Sequence, residues 1–252
     1  SMNKSVIVGF CLVLSSIVAN AQLRQQIPLN DGWLVKSMEE SEPLPLKLPD
    51  NFENPGSAWY AGDMPGQVQE FILEKGELPD PAVGDNEEKW IPVFQKDWIY
   101  CKQFKTPAES GDISLCFLGL DTEADIFLNG QKIAQAHNMF RRWSFPVQDY
   151  LNPDHEYNTL IIRFYPPSHG MNNYESLSGE AASIPQLVIR KSWADFNSYL
   201  GARPNFIKMG IFDDVYMDIL PPSYFGDVYV RTELSGDLKG ANIIVDPDVM
   251  GS

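Results

Sequence analysis

Apolar and polar residues alternate with a period of two through much of the middle of the chain. The pattern is clearest in "DWIYCKQFKT" (97–106), "DISLCFLGL" (112–120), "EADIFLNGQKIAQA" (123–136), "NTLIIRFYPP" (158–167) and "GIFDDVYMDIL" (210–220). A period of two marks a pleated strand with one face buried, so each stretch is expected to be a strand or a hairpin. In the third, Ala124, Ile126 and Leu128 share one face and Asp125 and Phe127 the other. Asn129 and Gly130 follow, and this pair readily takes the positive φ angles of a two-residue hairpin turn.

Helical spacing is scarce. The stretch "PGQVQEFILEKGELPDP" (65–81) places Val68, Phe71 and Ile72 three and four apart, with Gly76 positioned to end a short helix. A second short helix is expected around residues 183–188, weakened by Pro185. The 19 prolines and 18 glycines are spread throughout and cut the chain into short pieces. The expected fold is therefore all-β, a two-sheet sandwich with one or two short helices, whose exposed edges and rim loops do the recognising. Paired prolines in "PPSYFGD" (221–227) end it. Beyond them, "DVYVRTELSG" and "ANIIVDPDVMG" read as the first two strands of another β-domain, a stub that cannot bury a core alone.

Composition narrows the partners. The 252 residues are 44% hydrophobic, enough for a sizeable core. Acidic residues outnumber basic ones 34 to 19, and the net charge of −15 repels a phosphate backbone or an anionic bilayer, so neither nucleic acid nor a membrane is an expected partner. The start carries Lys4, an apolar stretch from Val6 to Val18, and small residues at Ala19 and Ala21. These are the parts of a secretory signal over residues 1–21, and they predict export to the periplasm or outside the cell. The apolar stretch is too short to span a bilayer, and no later one approaches about 20 apolar residues. Cys11 follows the bulky Phe10, which argues against a lipid anchor. Two readings of Cys101 and Cys116 stay open: a disulfide, if their strands form one hairpin, or two small buried apolar residues.

Candidate chemistry is sparse. Glu39 with Glu40, Glu87 with Glu88 and Asp213 with Asp214 are sequence neighbours, which point to opposite faces of a strand and make no acid–base couple. His137, His155 and His169 lie too far apart for ligand spacing, so no metal is expected, although a calcium held by loop oxygens leaves no signature at this level. A Gly-rich phosphate loop, a G-x-S-x-G elbow and a Cys/His nucleophile pair are all missing, and no cofactor is expected. "HNMFRRWSF" (137–145) groups Asn138, Arg141, Arg142 and Trp143. Planar donors beside an aromatic ring suit sugar hydroxyls, and the same group also reads as scaffold.

Several stretches together resemble the N-terminal sugar-binding domain of glycoside hydrolase family 2, in particular its β-mannosidase branch. They are "PGQVQEFILEKGELPDPAVGDNEEKW" (65–90), "DWIYCKQF" (97–104), "FLGLDTEADIFLNGQKIAQAHNMFRRWSFPV" (117–147) and "GIFDDVYMDI" (210–219), within a matching order over residues 29–220. The resemblance implies a galactose-binding-like jelly roll over residues 22–221 and the first strands of an immunoglobulin-like domain over residues 222–252. In such enzymes a (β/α)₈ barrel supplies two carboxylic acids about 5 to 5.5 Å apart. A barrel takes about 250 residues of alternating strand and helix, a pattern not found here, so the chain alone is expected to be inactive. Its implied partners are an oligosaccharide, mannose-containing in the β-mannosidase reading, and the hydrolase domains it lacks. Family β-mannosidases also send one loop of this domain to the terminal sugar, carrying adjacent Trp and Asp. The matching segment, "SWADFNSYLGARPNFIKM" (192–209), offers Trp193 and Asp195 instead, two apart, so that they share a face only if the segment is extended. Gln69 is a second departure, standing where the family usually has His. The alternative function is a stand-alone carbohydrate-binding or structural β-module.

Overall fold

A computed structural model describes residues 24–38, 48–49, 51–108, 111–153, 156–166, 169 and 207–251. Its strands are β1 (Gln25–Pro28), β2 (Trp33–Ser37), β3 (Tyr60–Gly62), β4 (Gly66–Gln67), β5 (Trp98–Lys105), β6 (Asp112–Phe117), β7 (Leu120–Asp121), β8 (Glu123–Leu128), β9 (Gln131–His137), β10 (Trp143–Pro146), β11 (Tyr157–Phe164), β12 (Gly210–Ile211), β13 (Val215–Leu220), β14 (Ser223–Leu234) and β15 (Ala241–Gly251). The chain divides into two compact units, Ile27–Ala108 with Ile113–Met217, and Ser1–Gln26 with Glu109–Asp112 and Asp218–Ser252. Among the described residues, no helix is long and apolar enough to cross a membrane.

Most of the larger unit is antiparallel sheet. Six strands run in the order β3-β2-β5-β11-β8-β9, four in the order β1-β13-β6-β10, and three short ones in the order β4-β12-β7. The five alternating stretches are all strands, and each forms where alternation can bury one face. In β8, Ala124, Ile126 and Leu128 are 0% exposed and pair across β11 with Phe164, Ile162 and Leu160. Asn129 (φ 50°) and Gly130 (φ 81°) make the β8–β9 turn. Asn129 does more than turn the chain. Its amide donates to the Tyr150 carbonyl (2.8 Å) and Asn158 Oδ1 (2.8 Å), and its Oδ1 accepts from the Thr159 N–H (2.9 Å). On the opposite face of the six-stranded sheet, Leu34, Met38, Trp59, Ile99, Cys101 and Ile161 form a second apolar cluster.

The cysteines fall on different sheets. Cys101 lies in β5, which pairs with β2 and β11, whereas Cys116 lies in β6, which pairs with β10. Both are free and buried, so the one-hairpin route to a disulfide is closed. Burial pushes the Cys101 thiol up to about 12.

The expected helix is α1 (Val68–Glu74), with Val68, Gln69, Phe71 and Ile72 buried. Gly76 (φ 67°) ends it, and the N–H groups of Gly76 and Glu77 donate to the Leu73 and Ile72 carbonyls. A 3₁₀ turn at Asn86–Trp90 leads into α2 (Ile91–Phe94). Residues 183–188 lie outside the described residues.

The smaller unit holds the β14–β15 hairpin. Its cross-strand pairs Phe225↔Val249, Val228↔Pro247, Val230↔Val245, Thr232↔Ile243 and Leu234↔Ala241 share one face. A bulge between Phe225 and Val228 absorbs the odd spacing between them and keeps both on that face. The other face carries Tyr229, Arg231, Glu233, Asn242 and Asp246. In the same unit Arg24 makes a two-pronged contact with Asp218, at 2.8 and 2.7 Å.

Candidate functional site

Polar groups converge where the three short strands meet. β12 lies between β4 and β7, so Gly210 faces Gln67 on one side and Asp121 on the other. The fully buried Tyr100 sends its phenol beneath them and donates to the Gly66 carbonyl (3.0 Å). Burial holds this phenol well above its ordinary pKa, with the Glu70 carboxylate as a further cause. Gly210 has φ 128°, and a Cβ there would sit 2.1 Å from the Tyr100 hydroxyl, so only glycine fits. Asp121 is 0% exposed, accepts from its neighbour Thr122 Oγ1, and receives the Gln67 side-chain amide at 3.4 Å. Glu70 reaches back to the Gln67 N–H (2.8 Å) at the start of α1.

Gln69 is built into this corner. Its amide donates to the Ile207 carbonyl and its Oε1 accepts from the Met209 N–H (3.4 Å), while the Val68 N–H donates to the Met209 carbonyl (3.0 Å). Residues 207–209 are thus held on both edges as the chain enters β12. Gln69 is therefore a backbone clamp, 2% exposed.

A second polar network lies on the face of β8 and β11 opposite Ile126 and Ile162. Arg163 pairs with Asp97, and its guanidinium carbon lies 4.8 Å from the centre of the Tyr165 ring. Tyr165 donates to Asp125 Oδ2 (2.9 Å), which also receives Lys132 Nζ (2.8 Å). The His169 ring stacks on Tyr165 at 4.2 Å, and its Nδ1 lies 2.9 Å from Glu123 Oε2. Burial, then the hydrogen bond to Asp125, pushes the Tyr165 phenol up to about 12. Sequence alternation placed Asp125 on the face opposite Ala124, Ile126 and Leu128, and there the residue is 6% exposed.

Of the sequence candidates, Trp193 and Asp195 lie outside the described residues. Asn138 and Trp143 are brought together, since the Asn138 carbonyl accepts from the Trp143 indole N–H (3.3 Å) and its side chain accepts from the Phe140 N–H (2.9 Å). Trp143 is only 7% exposed. Arg141 lies over its ring at 4.7 Å, Phe145 stacks on it at 5.8 Å, and His137 packs against it at 5.3 Å. Arg142 is exposed on the same turn beside Phe140, which is 70% exposed and was not singled out from the sequence.

A sandwich of this topology, with the β8–β9 hairpin and the β4–β12–β7 corner, defines a class. The family model for the galactose-binding-like domain of glycosyl hydrolase 2 matches residues 33–213, and the chain belongs to that family. Within it the chain is β-mannosidase-like. It is 30% identical over 150 residues to a mannosylglycoprotein endo-β-mannosidase of Lilium longiflorum, covering 56% of this chain and 16% of that protein. Against β-mannosidase B of Aspergillus clavatus it is 26% identical over 236 residues, covering 89% of this chain and 26% of the relative. The crystal structure of β-D-mannosidase from Dictyoglomus thermophilum superposes with a TM-score of 0.72 at 28% identity, over 89% of this chain and 26% of that one. An exo-chitosanase of Amycolatopsis orientalis shares the fold, with a TM-score of 0.66 at 20% identity. The chain therefore spans about a quarter or less of the length of these relatives.

Proposed function

We propose that the chain is the non-catalytic N-terminal domain of an exported β-mannosidase-like glycoside hydrolase, acting on β-linked, mannose-containing sugars and shaping the sugar pocket rather than cleaving the bond. The observation that carries this reading is the match of nearly the whole chain to about a quarter of a β-mannosidase. The remaining three quarters of such a protein are the place for the paired carboxylic acids of glycoside hydrolysis. They would also supply the strands that complete residues 222–252 as an immunoglobulin-like domain. Export rests on the basic, apolar and small-residue segments of residues 1–21.

The corner gives this reading its mechanics. Gln69, Gly210 and Tyr100 fix where the segment bearing Trp193 and Asp195 rejoins the sheet. An aromatic face for sugar C–H groups and a carboxylate for hydroxyls would then be delivered from an immobile base. The test is Trp193→Ala in the longer enzyme that carries this domain, assayed on an aryl β-mannoside. A KM raised about tenfold or more, equivalent to roughly 1.4 kcal/mol of lost binding, is expected, with the melting temperature unchanged. An unchanged KM and kcat would remove this segment from the pocket.

A further inference from the structure

The turn between β9 and β10 presents two side chains that hold nothing. Among the described residues, Arg24, Arg141, Arg163 and Arg231 each meet a carboxylate or a ring, whereas Arg142 meets neither. Beside it Phe140 is 70% exposed, more open than any other phenylalanine, tyrosine or tryptophan described. Both stand on a prepared base. Asn138 accepts the Phe140 N–H on its side chain and the Trp143 indole N–H on its carbonyl, and Arg141 lies over the Trp143 ring. A turn already fixed loses little freedom when it is covered. β9 and β10 are the last strands of the six- and four-stranded sheets, so the turn joins two sheet edges. This edge is also basic: from Ile126 to Gln148 the chain carries Lys132, Arg141 and Arg142 and no acidic residue, against a net charge of −15 overall.

We infer that this turn docks the domain on the hydrolase portion of a longer polypeptide, with Phe140 seated in an apolar recess and Arg142 paired with a carboxylate at its rim. The inference rests on the function proposed above and adds to it the surface by which the sandwich is held. Aromatic rings and arginine are the usual anchors of protein interfaces, and the planar guanidinium fits a carboxylate with two parallel hydrogen bonds. Charge and shape select the occupant. A two-fold pairing of this edge with itself would set arginine against arginine. A neutral sugar has no use for a basic surface, and a ring 70% exposed stands proud of the surface instead of lining a recess. An acidic protein surface fits both side chains. About three quarters of the relatives' length lies outside the part matched, and a portion joined in the same polypeptide meets the turn at high effective concentration, so that a few anchors suffice.

Hydroxyl-radical footprinting of Phe140 and phenylglyoxal modification of Arg142, in the 252-residue chain and in the longer enzyme that carries this domain, test the inference. Both side chains should react freely in the chain and several-fold more slowly in the enzyme. Phe140→Ala with Arg142→Ser should lower the melting temperature of the enzyme by roughly 3 °C or more and leave that of the chain unchanged, because neither side chain has a partner within it. The footprint needs no variant, so it decides the matter if the double variant fails to fold. Equal reactivity in chain and enzyme would overturn the inference. So would protection that arises only with a mannoside bound, which would make the turn a sugar contact. Hydrolysis of an aryl β-mannoside by the same enzyme separates the two claims: an active enzyme with a reactive turn refutes the docking alone, and an inactive enzyme with a covered turn refutes the proposed function alone.

Discussion

Gly210 is where one atom decides the geometry of the corner. A methyl at this position would collide with the Tyr100 hydroxyl and would also have to adopt φ 128°. Gly210→Ala should therefore cost about 2–4 kcal/mol of stability, through strain and the displaced ring. Tyr100→Phe alone should cost about 1 kcal/mol, for the lost bond to the Gly66 carbonyl. In the double variant the hydroxyl contact is gone while the ring carbon at 2.9 Å and the φ of 128° remain, so urea melts should show a combined loss somewhat smaller than the sum; additive losses would place the strain elsewhere. Tyr165 makes a pH-dependent contribution. Its folded pKa is raised from 10.0 to about 12, so the stability carried by its neutral phenol is whole below pH 10 and is lost as pH rises through about 12. In an ultraviolet titration Tyr165→Phe should remove one late tyrosinate near pH 12, while those of Tyr60 and the buried Tyr100, also raised, remain. At this scale the sequence was a partial guide. It named Asn138, Arg142 and Trp143 together, and the structure joins Asn138 to Trp143, but whether a tryptophan ring is open or covered depends on Arg141, His137 and Phe145, whose placement no local pattern announces.

Elements were legible where residue type alternates along a strand, although in β5 and β8 both faces are largely covered. β5, β6, β8, β9, β11 and β13 all fall in the alternating stretches, and the Gly76 stop of α1 was readable because few residues other than glycine accept a positive φ. β1, β3, β4, β7 and β12 span two to four residues each, too short for a period of two to emerge. β2 begins with three buried residues in a row, which hides its alternation. Asn129 was read as half of a turn, yet its side chain ties the turn to β11 and to Tyr150. Asn129→Ala should cost about 2–3 kcal/mol in chemical denaturation, more than a turn preference alone, because it takes the acceptor from the Thr159 N–H and a donor from the Tyr150 carbonyl. The Gln69 clamp makes a parallel prediction. Gln69→Leu strands the Ile207 carbonyl and the Met209 N–H, so hydrogen exchange at residues 207–211 should accelerate well before that of β8 or β11.

For the whole molecule, the proposed division gives recognition to this sandwich and bond cleavage to the part of the relatives that it does not cover. The galactose-binding-like family of the domain fits that division. The most direct test of that division is the rate at which the purified chain hydrolyses an aryl β-mannoside. Release should stay at the uncatalysed background rate whatever the protein concentration. Saturable turnover that scales with the chain and tracks with its single band through purification would contradict it.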